Sequence, residues 1–172
     1  MKRSYFKGTC YRYFYKGKTN KNIVLIHGLG LNQDVWTWQI PLFDGYNVLV
    51  YDLLGHGDSK TPGKKITLDT FSNQLNELLL KLSINNIILV GFSLGSMISR
   101  KYSINYPQKV EALILLNSPR RVTTSEKNEI LSRSLMLKKE GPDSSVKAAI
   151  ERWFSPEFQN SNKPIIDLVA FW

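Results

Sequence analysis

The stretch NIILVGFSLGSMISRKYSINY, residues 86–106, decides how the chain folds. It opens on a continuous apolar run, Ile87-Ile88-Leu89-Val90, as a strand does when both faces of its sheet are covered. It closes on a segment of helical character that stops at Pro107. Between the two stands Gly91-Phe92-Ser93-Leu94-Gly95. A sharp strand-to-helix turn forces its central residue into a strained backbone, and glycine on either side keeps neighbouring side chains away. Ser93 is therefore the predicted nucleophile, its hydroxyl standing above the sheet. The N–H of Leu94, at the helix start, is predicted to donate to an oxyanion. A glycine–serine–glycine pattern is common by itself, and its place after a strand and before a helix is what gives it weight.

Two more apolar runs end in turns of the same kind. NIVLI (22–26) leads into His27-Gly28-Leu29-Gly30, where the N–H of Leu29 is the predicted second oxyanion donor, facing that of Leu94. A dinucleotide fingerprint needs a third glycine where Gln33 stands, and a phosphate loop needs a glycine upstream of Gly63-Lys64 that is absent. NVLVYD (47–52) runs into the turn-rich LLGHGDSKTPGKK, and EALILLN (111–117) is a fourth strand. Helical patterns separate these runs. NQDVWTWQI (32–40) has helical potential and stops at Pro41. Thr67 caps a helix with Asp69 in its first turn, and Phe71, Leu75, Leu78, Leu79 and Leu82 share one face. Apolar strands alternating with helices predict an α/β fold with a doubly wound, mostly parallel sheet.

The two ends of the chain depart from this alternation. Residues 1–22 carry seven basic residues and no acid, interleaved with aromatics. Cations and flat rings can serve single-stranded nucleic acid. No RNP or KH-like signature accompanies them, so the stretch is read as an antiparallel hairpin turning near Gly8, with no nucleic-acid partner. In the tail, Thr123 and Glu126 form a capping box for a helix running towards Gly141-Pro142. Asp143 or Ser144 then caps a second helix carrying Val146, Ala149, Ile150 and Trp153. One further helical or irregular segment runs from Ser155 to Trp172.

Composition narrows the function classes. The 172 residues are 42% hydrophobic and 22% charged, a globular balance, with a formal charge of +9. A single cysteine excludes a disulfide framework and a thiolate metal cluster. The two histidines show no HExxH spacing. No apolar run is long enough to span a bilayer, and the basic start lacks the apolar core of a secretory signal. The expectation is a soluble, cytoplasmic protein without a membrane partner.

VLIHGLG, Trp36, YDLLGHGDS and GFSLGS together make residues 5–120 resemble the α/β-hydrolase family. The resemblance implies Ser93 as nucleophile with Leu29 and Leu94 as oxyanion-hole donors, no metal and no organic cofactor. Serine at position 93 speaks against the haloalkane dehalogenase and epoxide hydrolase branches, which have Asp there. Leu54 stands where the family usually has Arg, which weakens a salt link, and His27 and His56 are read as structural. RWFSPEF (152–158) resembles a segment in the cap of 3-oxoadipate enol-lactonases, which makes Trp153 and Phe154 either cap-core aromatics or substrate contacts. The implied organisation is 1–120 as the N-terminal part of the hydrolase core and 121–172 as an incomplete helical cap over the sheet. The implied partner is a small-molecule ester or enol-lactone.

A serine needs a base, and the base an orienting acid. In this fold the chain order is Ser, then Asp or Glu, then His. No histidine follows His56, and the acids from Glu111 to Asp167 follow no recognisable strand. The expectation is the N-terminal portion of a longer hydrolase, with the C-terminal strands missing and the isolated chain inactive. The alternative is a non-catalytic binding or scaffold protein of the same fold. Either way an unpaired apolar strand edge is expected, and with it self-association.

Overall fold

The computed structural model describes residues 2–17, 19–63, 65–118, 121 and 123–172. They form two compact units, Met1–Ser118 and Pro119–Trp172.

The first unit begins with the expected hairpin, β1 (Ser4–Phe6) and β2 (Thr9–Phe14), paired so that Phe6 faces Thr9. Lys7 and Gly8 both take positive φ, 47° and 83°, the two-residue turn whose twist matches that of the flanking strands. β2 pairs antiparallel with β4 (Asn47–Tyr51). The rest is parallel: β3 (Asn22–Ile26) lies between β4 and β5 (Ile87–Phe92), and β5 pairs with β6 (Val110–Leu116). The order across the sheet is β1-β2-β4-β3-β5-β6.

Side chains alternate between the two faces, and each face of the central strands is covered. Val24, Ile26, Leu49 and Tyr51 pack with Phe71, Leu75, Leu78 and Leu79 of α1 (Leu68–Lys81) and with Ile98 and Tyr102 of α2 (Leu94–Asn105). Ile23, Leu25, Val48, Val50 and Val90 pack on the other face around Trp36, with Val35, Ile40 and Phe43 joining them. Two-sided cover is why these strands are continuously apolar. α1 starts as its sequence predicts, with Thr67 and Thr70 in a reciprocal capping box.

The segment 32–40 is not the expected helix. It makes two short 3₁₀ turns, Gln33–Trp36 and Ile40–Leu42. Local bonds to neighbouring strands outcompete a longer helix here: the Gln33 N–H donates to the Asp52 carboxylate at 2.8 Å. Pro41 does not end the segment, because it sits in the first turn of the second 3₁₀ piece, where its missing N–H has no helical partner to lose.

β6 is one edge of the sheet, and β1 is the other. Leu113, Ile114, Leu115 and Leu116 are each between 38% and 45% exposed, side chains of both faces included.

The described residues of the second unit form helices and the short joints between them. α3 (Thr124–Glu140) has the expected capping box between Thr123 and Glu126. α4 (Pro142–Trp153) starts before the expected caps: Gly141, at φ 83°, precedes it and Pro142 takes its first position, a place proline favours. Asp143 and Ser144 therefore fall inside the first turn. The last stretch is two helices, α5 (Pro156–Ser161), capped by Ser155, and α6 (Lys163–Phe171), separated at Asn162. Among the described residues no helix is long and apolar enough to cross a membrane.

Candidate active site

Ser93 stands at the junction of β5 and α2 with φ 53° and ψ −112°, a left-handed conformation that serine rarely adopts. The surrounding bonds hold it there. The Ser93 N–H donates to the carbonyl of Leu116, at the end of β6, at 2.9 Å, and the Ser93 carbonyl accepts from the N–H groups of Ser96 and Met97. The buried Ser96 hydroxyl lies 2.5 Å from the Gly91 carbonyl and 2.9 Å from that of Leu116. The flanking glycines are required by contact. A Cβ on Gly91 would meet the Gly95 carbonyl oxygen at 2.4 Å, and one on Gly95 would meet that of Ile26 at 2.2 Å. Glycine at 95 thus lets the first turn of α2 lie directly on the end of β3.

The loop after β3 lies against this turn. A Cβ on Gly28 would come within 3.1 Å of the Phe92 ring and 3.4 Å of the Ser93 Cβ. The Leu29 side chain is exposed. Among the described residues neither the Leu29 N–H nor the Leu94 N–H donates to a protein acceptor. The Gly28 carbonyl, by contrast, accepts twice, from the Leu31 N–H at 3.3 Å and from the His27 ring at 2.8 Å.

His27 is fully buried, and burial pushes its pKa from 6.5 to about 4. Its second ring nitrogen, Nε2, accepts from the Leu53 N–H at 3.0 Å. His56 lies beside it, with ring centroids 5.4 Å apart; burial lowers its pKa as well, and its Nδ1 is 3.2 Å from the Leu54 carbonyl. Both His27 nitrogens are engaged, so this ring has no nitrogen left to take a proton from Ser93.

Asp52, at the end of β4, organises the neighbouring turn. Its carboxylate accepts from the N–H groups of Gln33 and Asp58, at 2.8 and 2.9 Å, and a Cβ on Gly57 would press into it at 2.5 Å. The carbonyl of Asp52 accepts from Ser59 and Gln74. Around this knot the basic hairpin meets its acids. Arg3 pairs with Asp58 and Asp34, and Arg12 pairs with Asp34 at 2.6 Å and donates to the Gln33 side chain. Leu54 removes a possible cation from the turn, and Arg3 and Arg12 bring two from the hairpin. Cys10, Asp52 and Asp58 bring possible ligand atoms within 4.8 Å of one another. All three are already committed to protein partners, Cys10 to the Gln33 amide, and burial raises the Cys10 thiol pKa, which disfavours a thiolate.

Of the residues singled out from the sequence, Gly28, which precedes Leu29, is brought against Ser93. Trp153 and Phe154 belong to the second unit, where Phe154 stacks on Phe158 and Trp153 lies exposed beside the Arg152 guanidinium. Sequence reasoning missed Asp52, Gln33 and Ser96 as organising groups. The signal for Asp52 was present: a lone acid closing an apolar strand, NVLVYD, must find donors.

A mostly parallel sheet carrying a strained serine at a strand-to-helix turn, beside a glycine loop from the neighbouring strand, is the architecture of hydrolytic α/β proteins. The chain belongs to the alpha/beta hydrolase fold family, which matches it over residues 21–161. It is 27% identical to 3-oxoadipate enol-lactonase 2 of Acinetobacter baylyi over 149 residues, which are 86% of this chain and 55% of that protein. It is 30% identical to (E)-2-((N-methylformamido)methylene)succinate hydrolase of the same organism over 143 residues, 83% of this chain and 53% of that one. The structure superposes on the enol-lactonase of Burkholderia xenovorans LB400 with a TM-score of 0.87 at 21% identity, over 99% of this chain and 66% of that one. The chain spans about half the length of the curated relatives it matches.

Proposed function

We propose that this chain carries the nucleophile and oxyanion hole of a serine hydrolase acting on a carboxylic ester or enol-lactone. The observation that carries the reading is the approach of Gly28 to Ser93 in its strained turn, the residues next in sequence to each, Leu29 and Leu94, having amide N–H groups that no protein acceptor takes among the described residues. In this reading the Ser93 hydroxyl attacks the substrate carbonyl, losing its proton to a base. The Leu29 and Leu94 N–H groups hold the negative oxygen as it forms, each worth about 10²–10³ in rate by analogy with other oxyanion holes. The tetrahedral species expels the alkoxide or enolate, which takes up the proton, and leaves an acyl group on Ser93. Water then adds to the acyl carbonyl and frees the acid and the serine. The base and its acid are placed in a longer protein of which these residues form the first part, and the second unit is placed as part of its cap. The names of the two curated relatives support the choice of a lactone or related substrate.

The test is labelling of the longer protein with a serine-directed fluorophosphonate, together with hydrolysis of a p-nitrophenyl ester. Label on Ser93, and loss of at least about 10³-fold in hydrolysis in Ser93→Ala, are expected. Hydrolysis unchanged in Ser93→Ala overturns the assignment, and absence of both label and hydrolysis favours a scaffold protein of the same fold.

A further inference from the structure

From the core, the His27 ring reaches the backbone of two turns, at Gly28 and at Leu53. A carbonyl oxygen can only accept, so the 2.8 Å contact of His27 Nδ1 with the Gly28 carbonyl requires a proton on Nδ1. A backbone N–H can only donate, so the 3.0 Å contact of Nε2 with Leu53 requires that Nε2 carry none. The two contacts together select one neutral tautomer. Both partners are backbone groups of turns that follow neighbouring strands, β3 and β4, so the ring fastens one turn to the other.

The Gly28–Leu29 peptide is trans, as are all those described, so its carbonyl and its N–H point in opposite directions. A carbonyl held inward by the buried ring therefore turns the Leu29 N–H outward, on the loop whose Gly28 lies against Ser93. The Leu31 N–H reaches the same carbonyl only at 3.3 Å, a weaker hold. We propose that His27 is a positioning residue that fixes the orientation of the Gly28–Leu29 peptide through its Nδ1–H, so that the Leu29 N–H is presented to the oxygen that develops at Ser93. The burial that drives the ring's pKa down to about 4 keeps this neutral form in place across the neutral range. The inference rests on the oxyanion reading of Leu29.

Two experiments decide it, and the first needs no turnover. Imidazole nitrogen shifts of the 172-residue chain at neutral pH are expected to show Nδ1 protonated and Nε2 bare; the opposite tautomer, or a charged ring, overturns the proposal. The second compares His27→Ala with His27→Asn, whose side-chain amide can still reach the Gly28 carbonyl but not Leu53. In the longer, hydrolytic protein, His27→Ala is expected to lower kcat about 10-fold or more with KM held within about 2-fold, and His27→Asn to restore most of it. Loss of stability in both variants with kcat unchanged in the folded fraction overturns the positioning role. If hydrolysis does not depend on Ser93, the proposed function falls, and the tautomer together with the Leu29 amide resonance, expected to shift in His27→Ala and less in His27→Asn, still decides the inference.

Discussion

β3 and β6 are built from nearly the same letters and meet opposite fates. Val24, Leu25 and Ile26 of β3 are wholly buried, whereas the ALILL run of β6 keeps four of its large side chains at 38–45% exposure. Each strand has the continuous apolar pattern of a covered strand. β3 has a neighbour on each side and cover on each face, while among the described residues β6 pairs with β5 alone. A hydrophobic run specifies that a segment wants burial, and the burial itself comes from elements elsewhere in sequence.

The sharpest way to break this comparison is to shorten one leucine in each strand. Leu25→Ala is expected to lower the unfolding free energy of the chain by about 2–5 kcal/mol, measured by urea denaturation. Leu115→Ala is expected to cost less than about 1 kcal/mol, since much of its area already faces water. Equal costs would mean that β6 is covered in solution.

Acid should act first at the interior end of β3. His27 binds a proton readily when unfolded, near 6.5, and poorly when folded, near 4. Its contribution is therefore complete above about pH 6.5 and is lost as pH falls through 4, amounting to about 3 kcal/mol over that window. The lowered pKa of His56 adds in the same direction. Urea melts between neutral pH and pH 4 check this, and in His27→Asn the loss should shrink. A flat profile in the parent chain would show that the ring is not buried neutral.

The smallest expected effect on stability comes from the edge. Ile114→Lys should change the unfolding free energy by no more than about 0.5 kcal/mol. It should also reduce self-association in sedimentation velocity, because a charge on an exposed edge discourages edge-to-edge pairing. A parent chain that sediments as a monomer would remove the reason for that difference.

Legibility in the sequence followed the range of the interactions. The hairpin at Lys7-Gly8, the Thr67 and Thr123 caps and the β5–Ser93–α2 turn depend on residues within a few positions of each other, and all were readable. The stretch 32–42 was not, because Gln33 and Asp34 answer to Asp52, Arg3 and Arg12 from distant strands. The same holds for the site. Ser93 and the glycines around it announce themselves, since glycine at 91 and 95 is set by close backbone contacts. That His27 reaches two different turns, or that Ser96 lies between two strand ends, depends on pairings that no local pattern records.

The Leu116 carbonyl gives one edge of the sheet a lever on the Ser93 turn. It receives the Ser93 N–H and lies within reach of the Ser96 hydroxyl, so the last residue of an exposed edge strand is also the anchor of the strained Ser93 turn. Fraying that begins at the rim need travel only one strand inward before the serine loses its alignment. Whatever clamps β6 flat tightens Ser93, and whatever peels it away releases that residue's backbone strain. Amide exchange at the single Ser93 N–H would then act as a gauge of how firmly the rim is held.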